Sequence, residues 1–292
     1  MFTATLIGEA LARGDLSVAA DRLAAAGCAP GDAIWLEEGR AADIAFAADL
    51  AAAREALEGA FAGSDVVVQP TASRRKALIV ADMDSTMITV ECIDELADYA
   101  GIKAEVAAVT EAAMRGELDF EGALDARVAL LAGLDEGVIA QCLAERVRIM
   151  PGAKALVRTM RANGAEAVLV SGGFTRFAEP VAAEIGFGSA IANVLLIEDG
   201  RLTGKVAKPI VGSATKEETL LAAIAARGID PALSLAAGDG ANDLAMIRRA
   251  GLGVAYHAKP IVAAAAGARV DHGDLSVLLY AQGYARKEWV EA

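Results

Sequence analysis

The sequence predicts an α/β protein: a parallel-sheet core carrying an inserted helical cap, preceded by a small α+β domain. Three observations carry that reading. First, an apolar run from Ala77 to Ala81 stops abruptly at Asp82-Met83-Asp84. Leu78, Ile79 and Val80 suit a strand buried on both faces, as in a parallel sheet. Second, strand-like and helix-like stretches alternate from Met150 onward. Third, the gap between the opening strand and the next candidate, Ala167 to Val170, is far too long for one crossover helix. The filling, Glu91 to Arg148, reads as helices throughout, which places a cap at about 88–149. The core then spans 75–292 and the leading domain 1–74.

Residues 1–74 give the order βαββαβ. Ala4 to Ile7 reads as a strand, and Asp15 to Leu23 as a helix that Gly27 stops. Ala33 to Leu36 and Ala42 to Phe46 read as a hairpin around Glu38-Gly39, Leu50 to Phe61 as a helix, and Asp65 to Val68 as a strand. This is the ferredoxin-like split unit. Its topology loosely resembles ACT-type modules that bind amino acids, but no motif supports that function. A packing or dimerisation domain, and with it a homodimer, is the plainer expectation. Gln69 to Lys76, polar and ending in three basic residues, reads as a linker and solvated hinge.

The core begins with the Ala77–Ala81 strand, and Asp82, a poor strand residue, should end it. In open parallel sheets chemistry lies just beyond the carboxyl ends of strands. Two acids one residue apart there can divide labour, one attacking or holding a metal and the other moving a proton. An Asx turn is the bland alternative. Within the cap, Phe120, Leu124, Arg127 and Leu131 share one helical face with Arg127 near its centre. An arginine in an apolar stripe needs a partner. It is either a snorkelling or internally paired side chain or a clamp for a substrate carboxylate.

Beyond the cap, Pro151 should open a helix that Gly164 closes, and Val168 to Val170 a strand ending at Ser171-Gly172-Gly173. Asn193 to Val206 reads as a hairpin with an Asp-Gly turn. Thr215 and Glu218 look like a capping box, and Lys216 lies in that helix's first turn, where the macrodipole disfavours it. A nearby anion, or Glu217 or Glu218, would relieve the conflict. Leu233 to Ala237 is a strand running into Gly238-Asp239-Gly240-Ala241-Asn242-Asp243, Gly253 to Tyr256 another, and Leu275 to Tyr280 a helix.

Composition limits the partners. The net charge of −13 repels polyanions, so nucleic acid is not an expected partner. The three cysteines form no CxxC and fit a reducing cytoplasm. With only two histidines, any metal should be hard and oxygen-bound. The N-terminus lacks a basic leader, and no apolar run approaches the ~18 residues of a membrane span.

Together the three strand ends and Lys216 make a phosphoryl-transfer site for a small phosphomonoester. Asp82 can attack phosphorus and Asp84 can give and take a proton. Ser171 and the Gly172 N–H can hold phosphate oxygens. Lys216 can neutralise charge, and Asp239 can join Asp82 on Mg²⁺. Gly238-Asp239-Gly240 does not continue as GxGxxG, and no P-loop appears.

The set Asp82-x-Asp84-Ser85-Thr86, Ser171-Gly172-Gly173, Lys216 and Gly238-Asp239-Gly240-Ala241-Asn242-Asp243 resembles the four motifs, in order, of the haloacid dehalogenase superfamily of phosphatases. Glu91 and Arg127 bring it closer to the branch that acts on phosphoserine. The resemblance covers about residues 76–285. It implies a Rossmann-like core and hydrolysis of L-phosphoserine in the last step of serine synthesis. It further implies metal contacts from the Asp82 carboxylate, the Asp84 carbonyl and Asp239, with Asn242 on the phosphate and Asp243 steadying metal-bound water. Glu91 would hold the substrate ammonium, Arg127 its carboxylate, and Met114 and Phe120 would shield the site. Two other functions compete: a phosphotransferase to an alcohol such as homoserine, and a non-catalytic amino-acid sensor. Intact Asp82, Asp84, Lys216 and Asp239 argue against the sensor.

Overall fold

The computed structural model describes residues 1–114 and 117–291, the Met114 side chain excepted, so the shield expected there lies outside the described residues. The leading unit consists of β1 (Phe2–Gly8), α1 (Arg13–Ala25), β2 (Pro30–Glu37), β3 (Ala41–Phe46), α2 (Leu50–Leu57) and β4 (Ser64–Pro70). Its sheet is antiparallel with order β2-β3-β1-β4. Leu6, Leu23, Ile44, Phe46 and Leu57 fill a core of its own. Helix α2 stops four residues before Phe61 because Glu58 turns extended and Gly59 takes φ 73°.

The basic run after β4 is not a solvated hinge. Arg74 grips Asp43 through two hydrogen bonds of 2.7 and 3.0 Å. Arg75 lies over the Tyr284 ring. Lys76 is buried, its Nζ donating to Ala232 O at 2.9 Å, and burial lowers its pKa to about 8. Asp65 adds a strut, accepting the N–H groups of Asp271, His272 and Gly273 at 2.7, 3.1 and 2.7 Å. A carboxylate, an aromatic ring and a backbone carbonyl, one for each basic residue, dock this segment.

The core opens with β5 (Leu78–Ala81). The cap follows: α3 (Cys92–Tyr99), α4 (Lys103–Met114), α5 (Phe120–Ala129) and α6 (Gly137–Glu145). Two antiparallel chain crossings carry it, with Thr89 N donating to Arg148 O and Met150 N to Met87 O. Then come α7 (Ala153–Ala162), β6 (Glu166–Phe174), α8 (Thr175–Ile185), β7 (Ser189–Asn193), the hairpin β8 (Leu195–Glu198) and β9 (Arg201–Val206), and α9 (Ser213–Arg227). The chain ends with β10 (Ser234–Gly238), α10 (Leu244–Arg249), β11 (Leu252–Tyr256), α11 (Pro260–Ala265), β12 (Ala268–Val270) and α12 (Val277–Ala281). The six-stranded sheet has order β12-β11-β10-β5-β6-β7, and every pairing is parallel. All four β5 residues are fully buried, Ile79 and Ala81 on one face and Leu78 and Val80 on the other. The order reverses between β5 and β10, which makes Asp82 the residue at the switch point.

Four local expectations change. Pro151 lies in a turn, and α7 opens after Gly152 at φ 80°. The cap of α9 is Gly212, so Thr215 falls inside the helix. β7 pairs with β6 rather than starting the hairpin, and β12 is a further strand. The hairpin turn is as expected, with Asp199 and Gly200 both at positive φ. Among the described residues no helix is long and apolar enough to cross a membrane.

Candidate active site

The carboxyl ends of β5, β6 and β10 converge on a cleft of about 420 Å³ beneath the cap. Asp82, Asp84, Glu91, Arg127, Ser171, Gly172, Asp239 and Asn242 all line it. Lys216 lies just beneath, fully buried, and bridges two acids: its Nζ is 2.6 Å from Asp82 Oδ1 and 2.6 Å from Asp243 Oδ1. The relief for a lysine in a helix's first turn is therefore this pair, whereas Glu217 bonds Arg249 instead. Burial alone would lower the Lys216 pKa, but the two carboxylates outweigh it and hold the ammonium charged.

Asp82 leaves the sheet with its N–H bonded to Ala237 O at 2.9 Å. Burial and then the charge of Asp243 push its carboxyl upward, and Lys216 opposes them. Asp84 is pushed up to about 7, by burial first and then by Glu91, and its Oδ1 is buried with no hydrogen-bond partner among the described residues. Asp239 is raised to about 6 by burial and by Asp243. Carboxylate oxygens of Asp82, Asp239 and Asp243 lie within 4.8 Å of one another. The carboxylates of Asp82 and Asp239, both pushed upward by burial and by the charge of Asp243, are hard oxygen donors that fit a divalent cation. The clustered side chain is that of Asp243 rather than Asp84.

Gly238 allows this geometry. A Cβ built there would lie 2.4 Å from Asp243 Cγ, and Asp243 cannot retreat because Lys216 and Gly240 N (3.0 Å) hold both of its oxygens. Gly238→Ala is expected to lower kcat about 10²-fold and stability by about 1–3 kcal/mol. Steady-state kinetics and a urea titration check this, and wild-type values in both would show that Asp243 is not what seats Lys216.

At the end of β6, register with β7 is lost between Val170 and Phe174. The bulge turns Ser171 Oγ toward Gly173 N (2.9 Å). On the cap side, Ser85 adopts φ 54° and donates to Glu91 Oε1 at 2.6 Å. Arg127 donates Nε to Ala123 O at 3.2 Å and makes no ion pair within 4.0 Å among the described residues. Burial lowers its pKa, while Asp94, Glu91 and Asp84 pull the other way. Phe120 is 37% exposed, yet its ring covers Gly172 and Gly212. Lys259 also lines the cleft, and sequence reading missed it. Its position between the end of β11 and Pro260, the first residue of α11, was the available signal.

A family model described as haloacid dehalogenase-like hydrolase matches residues 79–248. The chain belongs to the haloacid dehalogenase-like hydrolases. Within that class it is similar to phosphoserine phosphatases. It is 48% identical to the one from Streptomyces coelicolor over 239 residues, 81% of this chain and 58% of that protein. With that of Albidiferax ferrireducens it shares 49% over 207 residues, 69% of this chain and 87% of that protein. The unliganded crystal structure of a probable phosphoserine phosphatase from Vibrio cholerae superposes with a TM-score of 0.80 at 35% identity, covering 98% of this chain and 88% of that one. The match to the Streptomyces protein thus spans less than two thirds of that relative's length.

Proposed function

We propose that the protein is a Mg²⁺-dependent phosphatase that hydrolyses O-phospho-L-serine to L-serine and phosphate, the last step of serine biosynthesis. The catalytic unit is 75–292 with its cap at about 88–149, and 1–74 is a packing unit. One observation carries the reading: a single cleft joins a buried acid–lysine centre to a facing cap acid and a cap arginine that has no ion pair among the described residues. The first half suits a phosphoryl group, and the second suits the ammonium and carboxylate of an amino acid.

In the reaction an Asp82 oxygen attacks phosphorus and the bond from phosphorus to the serine oxygen breaks. Asp84 gives its proton to the departing alkoxide. Water then attacks the phosphoryl group, Asp84 takes the water's proton, and the bond from phosphorus to Asp82 breaks, freeing phosphate. A carboxyl near 7 is suited to both transfers. Ser171, the Gly172 N–H and Asn242 hold phosphate oxygens, and Lys216 offsets charge as the bond to Asp82 forms. Asp82, Asp239 and the Asp84 carbonyl would hold Mg²⁺, with Asp243 supporting it, and the ion when bound supplies charge stabilisation to the phosphoryl oxygens.

The test is phosphate release from a panel of phosphomonoesters with Mg²⁺. Phosphoserine should be hydrolysed far faster than esters that lack the amino-acid group. Arg127→Ala should lower kcat/KM for phosphoserine about 10²-fold and leave p-nitrophenyl phosphate nearly untouched. Equal losses on both substrates would remove the clamp.

A further inference from the structure

We propose that Asn193 is a positioning residue for the phosphate half of the site, tying the Ser171–Gly173 loop to the segment that presents Lys216. The inference rests on the phosphatase reading above. Asn193 ends β7 and is buried. Its Nδ2 donates to Gly172 O at 2.9 Å and to Val211 O at 3.2 Å, and its Oδ1 accepts from Val211 N at 2.8 Å. One amide therefore joins two loops with three hydrogen bonds, close to its full capacity.

Both loops need such a tie. Sheet pairing fails between Val170 and Phe174, so the ladder does not fix Gly172. Val211 stands one residue before Gly212, the α9 cap, whose carbonyl accepts from Lys216 N at 3.1 Å. Moving Val211 moves the lysine's helix start. The spacing between the Gly172 N–H and the lysine is thus set by a side chain that does not itself line the cleft. The clamp also builds the floor under the cap. A Cβ on Gly172 would come 3.1 Å from Phe120 Cζ, and one on Gly212 3.2 Å from Phe120 Cδ1, so the ring rests on both loops at once.

Asn193→Asp keeps the shape and the acceptor for Val211 N but loses both donations and sets a carboxylate against two carbonyls. Asn193→Leu removes all three bonds at similar size. In each variant kcat/KM for phosphoserine and for p-nitrophenyl phosphate should fall together, by about 10²-fold. Inhibition by orthophosphate should weaken in parallel, and inhibition by L-serine should stay unchanged. Wild-type kcat/KM in both variants overturns the proposal. So does a loss of kcat with orthophosphate inhibition unchanged, which means fewer active molecules rather than a displaced loop. Failure of both variants to unfold cooperatively would assign Asn193 to stability alone and also overturn it. If the wild type hydrolyses neither ester, the phosphatase reading is what fails, and calorimetric orthophosphate affinity of wild type and variants then decides the clamp by itself.

Discussion

Asp82→Asn is expected to abolish phosphate release from phosphoserine, lowering kcat by at least about 10⁴-fold, in a protein that remains folded. The amide matches the carboxylate in shape, and its oxygen still accepts from Lys216 Nζ, now 2.6 Å from Asp82 Oδ1. Asp243 stays as the lysine's counter-ion at 2.6 Å. Packing and charge pairing are therefore largely kept, while the nucleophile proposed for the reaction is lost, because a neutral amide oxygen attacks phosphorus poorly. Steady-state phosphate release measures the loss, and thermal unfolding confirms the fold. Rapid acid quench of the wild type with phosphoserine, followed by peptide mass spectrometry, should find the phosphoryl group on the peptide that contains Asp82. Full turnover by the variant, or a phosphoryl group on another residue, would end the reading of Asp82 as nucleophile.

The parts of this site legible in the sequence are those where backbone and chemistry coincide. An apolar run that ends in an acid marks a strand end, and the β5 burial pattern matches that reading at every position. Arg127 stood out because a charge in an apolar stripe conflicts with its surroundings. Less legible were features set by long-range partners. Thr215 and Glu218 have a capping-box spacing, but the turn that starts α9 comes earlier, at Gly212, where Asn193 ties down Val211. Residues 74–76 look like a solvated hinge until Asp43, Tyr284 and Ala232, all distant in sequence, receive them. Asn193 carried no signal, because as the first residue of the expected hairpin it gave no cue to partners at Gly172 and Val211. Lys216 lies between these cases: its conflict with the helix dipole was visible, and its two acid partners were not.

Lys216→Met should be nearly as damaging to activity and more damaging to stability. The ammonium is fully buried between Asp82 and Asp243, so its removal leaves two acids without their shared cation. With chelator present at pH 7 the variant should lose about 3–5 kcal/mol of stability, the usual cost of breaking a buried pair from one side, and kcat should fall about 10³-fold. The pH dependence follows from the sign of the shift. Burial and Asp243 already push the Asp82 carboxyl above its ordinary value, and Lys216 is the group that opposes them. A carboxyl whose folded pKa exceeds its unfolded one costs stability above the unfolded value, and the cost shrinks as pH falls toward and below the folded value. The stability gap between variant and wild type should therefore narrow from pH 7 to pH 5 in urea titrations. Divalent cation should narrow it at pH 7 as well, because the ion's charge would replace part of the missing ammonium's. A gap that stays constant with pH and with cation would mean that Lys216 stabilises the fold through its packed alkyl chain rather than through its charge between the two acids.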